Sequence, residues 1–206
     1  MRTASFSLLT ILCLMLAVDP AMADTLYDNG PYNGTTDAWA IDYGSAVSDS
    51  FTVLFDSEIT GFHMVYWTAA GNVLTSVDMA FGATSFGGFY NAYGVSNNTF
   101  LTTNQFGFAL YQADLLFISY LPWSDRGYVS LQNACTIGGC SDGEFPIYWD
   151  ENSGRSLAFE NTLGSIPSEA FTLTGFVEMT PEPSSILLFG SGILGLAGVL
   201  RWRLNI

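Results

Sequence analysis

Short runs in which apolar and polar residues alternate recur between positions 24 and 180, separated by clusters of Gly, Asn, Asp, Ser and Pro. Alternation with period two is typical of strands that bury one face, and turn residues at regular short spacing are typical of sandwich domains. The clearest runs are Ile59 to Trp67, Gly127 to Gln132 and Ala170 to Val177. No stretch keeps a helical period. The pattern predicts an all-β fold, a single antiparallel β-sandwich (jelly-roll-like) of roughly nine to eleven strands.

Several weaker runs complete the predicted sheets. Further strands are predicted at 38–42 (as an edge strand), 50–55, 73–81, 99–102, 106–111, 115–121, 147–149 and 157–159. Both faces of the run from Ile59 to Trp67 are largely apolar, which indicates a central strand. The cluster at 28–34 predicts a loop.

A largely apolar run of 13 residues, Phe6 to Val18, follows the single positive charge of Arg2 at the N-terminus. The small residues Ala21 and Ala23 then occupy the −3 and −1 positions of a signal-peptidase site. The pattern predicts a signal peptide at residues 1–23, cleaved by signal peptidase between Ala23 and Asp24.

A second apolar run of 17 residues without a charge, 184–200, is preceded by Pro181-Glu182-Pro183 and followed by Arg201 and Arg203. A helix that continues through Trp202 is roughly 28 Å long, which matches the hydrocarbon thickness of a bilayer. The pattern predicts one transmembrane helix, with the arginines in the cytoplasm by the positive-inside rule. Residues 24–178 then form an ectodomain outside the cytoplasm, and 179–206 form a separate C-terminal segment.

This order of a Pro-Glu-Pro motif, a transmembrane helix and an Arg-rich tail resembles the PEP-CTERM sorting signal. The resemblance covers residues 181–203 and implies an exosortase as the processing enzyme, in a Gram-negative bacterium that makes exopolysaccharide. It also implies an inner-membrane anchor with a periplasmic ectodomain before processing, and then the cell surface or the extracellular matrix as the destination. Weaker likenesses to exported domains of other PEP-CTERM proteins at 29–34, 148–152 and 165–171 imply no activity.

Charge narrows the range of partners. Between the two terminal signals lie 17 acidic residues, two arginines and no lysine, a net charge of −15. Nucleic acid is excluded as a partner, because its binding depends on basic contacts to phosphate. The acidity is typical of a soluble, self-repelling exported protein.

The two cysteines that remain after export, Cys135 and Cys140, are separated by a Gly-Gly pair. A disulfide is the expected state in an oxidising compartment, with two free thiols as the alternative. Two cysteines do not complete a zinc site, and no metal site is predicted. Calcium stays a candidate ligand of the acidic loops at 28–30, 142–144 and 150–152, although turn formation is the better explanation of each loop taken singly.

The sequence predicts no catalytic site. The single histidine, His63, lies within a predicted strand, and no G-x-S-x-G motif occurs. Carboxylate pairs among Asp142, Glu144, Asp150 and Glu151 leave a glycoside hydrolase open as an alternative. We therefore expect an exported surface or matrix protein without catalytic activity and without a cofactor.

A carbohydrate-binding module of the extracellular matrix is the other alternative. Trp67 is predicted to fill the core, whereas Trp123 and Trp149 stand beside polar loops and are predicted to be exposed. The predicted glycan-binding residues are Trp123, Trp149, Asp150, Glu151 and Asn152, with exopolysaccharide as the ligand.

Overall fold

The structure is a computed structural model. It describes residues 23–54, 56–120, 125–140 and 146–177, with the backbone alone at 118–120, and in the C-terminal part 189–190, 192–193, 199–200 and 203. The chain divides into two compact units, Met1–Phe176 and Val177–Ile206.

The first unit is built from β-strands. In chain order these are β1 (Asp24–Asp28), β2 (Ala38–Ala40), β3 (Ala46–Thr52), β4 (Ser57–Thr68), β5 (Leu74–Gly82), β6 (Asn91–Gly94), β7 (Asn97–Thr103), β8 (Ala109–Tyr120), β9 (Arg126–Thr136), β10 (Tyr148–Asp150), β11 (Ala158–Glu160), β12 (Gly164–Ile166) and β13 (Phe171–Val177).

Two sheets result. The first holds seven strands and is organised around β4, whose neighbours are β8, β13 and β10; β7, β1 and β2 then extend it outward. The second holds six strands in the order β12-β11-β3-β9-β5-β6. The described strand pairings are antiparallel, as in β3 on β9, where Val47 faces Leu131. The predicted all-β class with two antiparallel sheets is confirmed.

The core lies between the sheets. Phe62, Met64 and Tyr66 of β4 point into it from the first sheet, and Val47 and Phe51 of β3 enter from the second. These side chains are at most 2% exposed. Alternation along β4 therefore places its even-numbered apolar residues inside, and β4 is central in its sheet, as predicted.

Two strand predictions are wrong. Residues 106–111 and 115–121 were expected to form two strands, but a single strand, β8, runs through Ala109–Tyr120. The residues before it form the tip of the β7–β8 hairpin, because the Asn104 side chain accepts the backbone N–H groups of Phe106 and Phe108, each at 3.0 Å. The short strands β1 and β12 were not predicted, since three to five residues show too little alternation.

The segments that carry the two predicted signals lie mostly outside the described residues. This holds for residues 1–22 of the predicted signal peptide at 1–23 and for most of the predicted transmembrane helix at 184–200. Within the part of the chain that is described, no helix is both long and apolar enough to cross a bilayer. The first described strand, β1, begins at Asp24, the residue predicted to become the mature N-terminus.

Candidate functional site

The exposure predicted for Trp149 is wrong. Its side chain is 0% exposed and packs edge-on against Phe62 and Phe171, with ring centroids 5.8 and 5.7 Å away. Its indole N–H donates to the carbonyl of Ala170 at 3.0 Å. Because β10 pairs with both β4 and β2, the middle residue of this three-residue strand faces the core, although its sequence neighbours are polar. Trp149 is therefore a core residue and has no surface for a glycan.

The polar residues after Trp149 have structural partners. Asp150 is buried, and its carboxylate accepts the backbone N–H groups of Asn33 and Gly34 at 2.8 Å each, together with the indole N–H of Trp67. Burial raises the pKa of Asp150, and these three donors oppose that rise. The side chain thereby holds the loop between β1 and β2.

Asn152 and Glu151 hold neighbouring parts of that loop. The Asn152 amide donates to the carbonyl of Asn29 at 2.9 Å, and the side chain is 6% exposed. Glu151 is partly exposed and accepts the indole N–H of Trp39 at 3.2 Å. Asp150 and Asn152, two of the predicted glycan-binding residues, are therefore buried and hold a loop in place. Trp123, a third predicted glycan-binding residue, lies outside the described residues.

A buried polar cluster joins the two sheets near the same loop. The Nδ2 atom of Asn29 lies within 2.6 to 3.2 Å of four oxygen atoms, those of the Asp49, Ser156 and Ser168 side chains and the Glu169 carbonyl. The Glu169 N–H donates to the Asp49 carboxylate at 2.8 Å. Asp49 belongs to β3 of the second sheet, whereas Glu169 lies two residues before the start of β13 of the first. The cluster therefore ties the sheets together through hydrogen bonds.

Two carboxyl groups of this region are buried without a counter-charge among the described residues. Glu169 is 0% exposed, and neither of its carboxyl oxygens has a hydrogen-bond partner in the described part of the chain. Burial raises its pKa well above the ordinary value, and the neighbouring charges of Asp49, Glu151, Asp150 and Asp37 raise it further. Burial likewise raises the pKa of Asp49 to about 7, against the lowering effect of its donors. Such groups stay protonated at neutral pH more readily than ordinary acids.

His63 has the partners of a satisfied sheet residue. Its Nδ1 lies 2.7 Å from Asp114 Oδ1, and its Nε2 lies 3.2 Å from Thr174 Oγ1 on β13. Three neighbouring strands, β13, β4 and β8, thus place Thr, His and Asp in a row. The pKa of Asp114 is lowered, because hydrogen bonds from Gln112, His63 and Asn97 outweigh its partial burial. His63 also borders a cleft of about 310 Å³ whose lining includes one carboxylate, that of Asp28.

A second cleft has an aromatic lining. It has a volume of about 330 Å³ and is lined by Thr36, Asp37, Ala38, Trp67, Phe106, Phe108 and Tyr148. We call this set the aromatic cleft. Its volume falls within the range of small-ligand sites, roughly 300 to 1,000 Å³. Phe106 is 55% exposed and stacks on Trp67, with ring centroids 5.9 Å apart and planes inclined by 26°.

Two loops build the aromatic cleft. The tip of the β7–β8 hairpin supplies Phe106 and Phe108, and the loop before β2 supplies residues 36–37. Gln105 joins the two loops by donating its amide to the Thr35 carbonyl at 3.1 Å. Gly34 has a φ of +67°, and a Cβ atom there would collide with the Leu110 side chain, so only glycine suits this bend. The loop that Asp150 holds is therefore one wall of the cleft.

The aromatic cleft is lined mainly by rings and has few ionisable groups. Asp37 is the one carboxylate among its lining residues, and no basic side chain lines it. Retaining and inverting glycosidases use a pair of carboxyl groups across the scissile bond. Sequence analysis missed this site because Phe106 and Asp37 are far apart in the chain and neither belongs to a motif.

The structure contains the disulfide between Cys135 and Cys140, at the end of β9. Asp142 and Glu144, two of the candidate calcium ligands, lie outside the described residues. Within the described ranges, no three acidic, histidine or cysteine side chains form a group suited to a metal ion.

The predicted sorting residues Pro181, Glu182, Pro183 and Arg201 lie outside the described residues. No curated protein matches the chain. Residues 180–203 match the family model of the PEP-CTERM protein-sorting motif, in agreement with the resemblance seen in the sequence. Residues 180–203 therefore carry a PEP-CTERM protein-sorting motif.

Proposed function

We propose that this protein is exported after cleavage before Asp24, and that an exosortase then delivers its sandwich domain to the cell surface or the exopolysaccharide matrix. The observation that carries the proposal is the sorting motif at 180–203, which implies exosortase processing of an exported protein. The position of the motif supports it as well. The last strand ends at Val177, so a cut within the motif would leave all thirteen described strands intact.

The proposed route has two membrane stages. Signal peptidase removes residues 1–23, and the apolar run 184–200 holds the protein in the inner membrane with Arg201 and Arg203 in the cytoplasm. The domain is periplasmic at this stage. The two prolines at 181 and 183 favour an extended backbone that a processing enzyme can reach.

The delivered domain is proposed to have no catalytic activity and no cofactor. Two observations support this. Each of the two described clefts has a single carboxylate in its lining, at Asp37 or Asp28, which disfavours the glycoside hydrolase alternative. His63 has hydrogen-bond partners on both ring nitrogens within the sheet.

The aromatic cleft supports a second candidate function, polysaccharide binding. An exposed aromatic ring beside hydrogen-bonding groups suits a sugar, which has an apolar C–H face and a rim of hydroxyl groups. Phe106 supplies the ring, and Thr36 and Asp37 supply the polar groups. This site takes the place of the one predicted around Trp149.

Replacing Pro181-Glu182-Pro183 by three alanines is expected to leave the protein in the membrane fraction of an exosortase-bearing host, because the enzyme loses its recognition motif. The measurement is immunoblotting of membrane, periplasmic and extracellular fractions. The triple change Thr99, Thr102 and Thr103 to alanine, on the exposed strand β7, is the control and should be released as the wild type is. Release of the motif variant at the wild-type level would refute exosortase sorting.

A further inference from the structure

The aromatic cleft is electronegative. Asp37 lines it, and the buried Asp150 lies directly behind Trp67, whose indole N–H it accepts. Glu151 is close by, since its backbone N–H donates to the Asp37 carbonyl at 3.2 Å. With no basic side chain in the lining and a net charge of −15 over residues 24–180, the cleft attracts cations and repels acidic sugars.

The aromatic lining reinforces this preference for positive charge. The face of an aromatic ring carries negative electrostatic potential and attracts ammonium groups. Phe108 lies 6.1 Å from Trp67 and 5.7 Å from Tyr148 between centroids. Phe108 and Tyr148 are half-buried and can be reached by a ligand, whereas Trp67 is 4% exposed and is covered by Phe106. The exposed ring of Phe106 is a further aromatic group that a ligand can contact. A carboxylate beside such rings is an arrangement suited to an organic cation.

The size and polar groups of the cleft favour a sugar over an extended amine. A volume of about 330 Å³ takes a ring-sized group, whereas a lysine side chain is thin and would leave much of it empty. The Thr36 hydroxyl accepts the Asn33 amide and the Asp37 Oδ1 atom accepts the Ala38 N–H, which leaves further acceptor sites on both groups for a ligand. A pyranose that carries both hydroxyls and an ammonium group satisfies all these features together.

We propose that the aromatic cleft binds amine-bearing sugar residues of a polysaccharide, with the ammonium group at Asp37 and the sugar ring against Phe106. The proposal rests on polysaccharide binding as the function of this cleft, and it specifies the class of sugar. Neutral and uronic-acid polymers are weaker ligands, because the first lack the charge and the second are repelled.

The test measures binding of the full-length chain, purified in mild detergent, to four immobilised polymers. These are polyglucosamine, its fully N-acetylated form, a neutral glucan and a polyuronate. The N-acetylated form has the same backbone and ring faces as polyglucosamine but no charge. We expect polyglucosamine to bind about tenfold more tightly than the N-acetylated form, a difference equivalent to one good cation–π or charge contact.

Matched variants separate a local site from the overall acidity of the domain. Asp37→Asn and Asp56→Asn remove the same charge from two exposed positions, but only Asp37 lines the cleft. Phe106→Ala and Phe89→Ala remove the same ring from exposed positions, the second being 92% exposed and outside the cleft. We expect Asp37→Asn to abolish the preference for the amine, and Phe106→Ala to weaken binding of every sugar polymer that binds. Both control variants should match the wild type.

Each outcome has a defined meaning. Equal affinity for the two glucosamine polymers, with loss in Phe106→Ala, would overturn amine selectivity and leave glycan binding standing. Absence of binding to all four polymers would overturn both the amine selectivity and glycan binding itself. Equal losses in Asp37→Asn and Asp56→Asn would show nonspecific attraction of a polycation and overturn the assigned site. Capture of polylysine with the same dependence on Phe106 and Asp37 would overturn the choice of a sugar.

Discussion

Trp149→Ala is expected to lower the free energy of unfolding by about 3 to 5 kcal/mol, the range measured when large aromatic side chains are deleted from cores. Trp149 is fully buried between Phe62 and Phe171, on a three-residue strand held between β4 and β2. The substitution leaves a cavity and also removes the donor to the Ala170 carbonyl. Because whole domains are stable by roughly 5 to 15 kcal/mol, this loss is a large fraction of the total.

Equilibrium denaturation by urea, followed by tryptophan fluorescence and circular dichroism, measures the effect. Trp149→Phe is the graded variant, since it keeps a ring in the core and loses the hydrogen bond, and it should fall between wild type and Trp149→Ala. Phe106→Ala is the control, because Phe106 is largely exposed and its loss should cost little stability. A Trp149→Ala variant as stable as the wild type would contradict the burial of this residue.

Stability is expected to fall as the pH rises from about 4 to 8. The pKa of Asp49 is about 7 in the folded protein, and that of Glu169 is well above its ordinary value, both chiefly through burial. In the unfolded chain both groups ionise near pH 4. The folded state therefore binds more protons across this interval, and its free energy of unfolding decreases with pH.

Asp49 contributes about 4 kcal/mol to the free energy of unfolding. This contribution is fully present below about pH 4 and is lost as the pH rises through about 7. The pKa values of Asp114 and Glu160 are lowered, so their contributions act in the opposite sense and are lost as the pH falls below about 4. The stability optimum should accordingly lie near pH 4.

Glu169→Gln tests this directly, because glutamine resembles the protonated acid and does not ionise. The variant should be the more stable of the two at pH 8, and its advantage over the wild type should be much smaller at pH 5. Thermal melts at the two pH values measure the difference, with Asp56→Asn as a control for the loss of one exposed charge. A variant that loses as much stability as the wild type between pH 5 and 8 would show that Glu169 is not the titrating group.

Much of the fold could be predicted from alternation alone. The run containing Phe62, Met64 and Tyr66 specified both the strand and the face that enters the core. The tip at 104–108 was misjudged because Phe106 and Phe108 are apolar, although the Asn104 side chain folds them into a turn. Short strands such as β12 depend on tertiary pairing and have no local pattern.

The site was harder to predict because burial depends on the whole sheet. Asp150 and Asn152 looked like loop ligands, but they serve as acceptor and donor for the backbone of a distant loop. The aromatic cleft joins residues from four separate segments, so no spacing in the chain indicates it. No pattern in the sequence indicates the burial of Glu169, because only the folded structure shows that its carboxyl group is enclosed.

The measurement that tests the central claim most directly is intact mass spectrometry of the mature protein from an exosortase-bearing host. The account predicts a chain that begins at Asp24 and ends between Pro181 and Ser185, with all thirteen described strands retained. The same analysis in a host that lacks the exosortase should find the tail still attached, in the membrane fraction. Recovery of a chain ending at Ile206 from the extracellular fraction would contradict sorting by this motif.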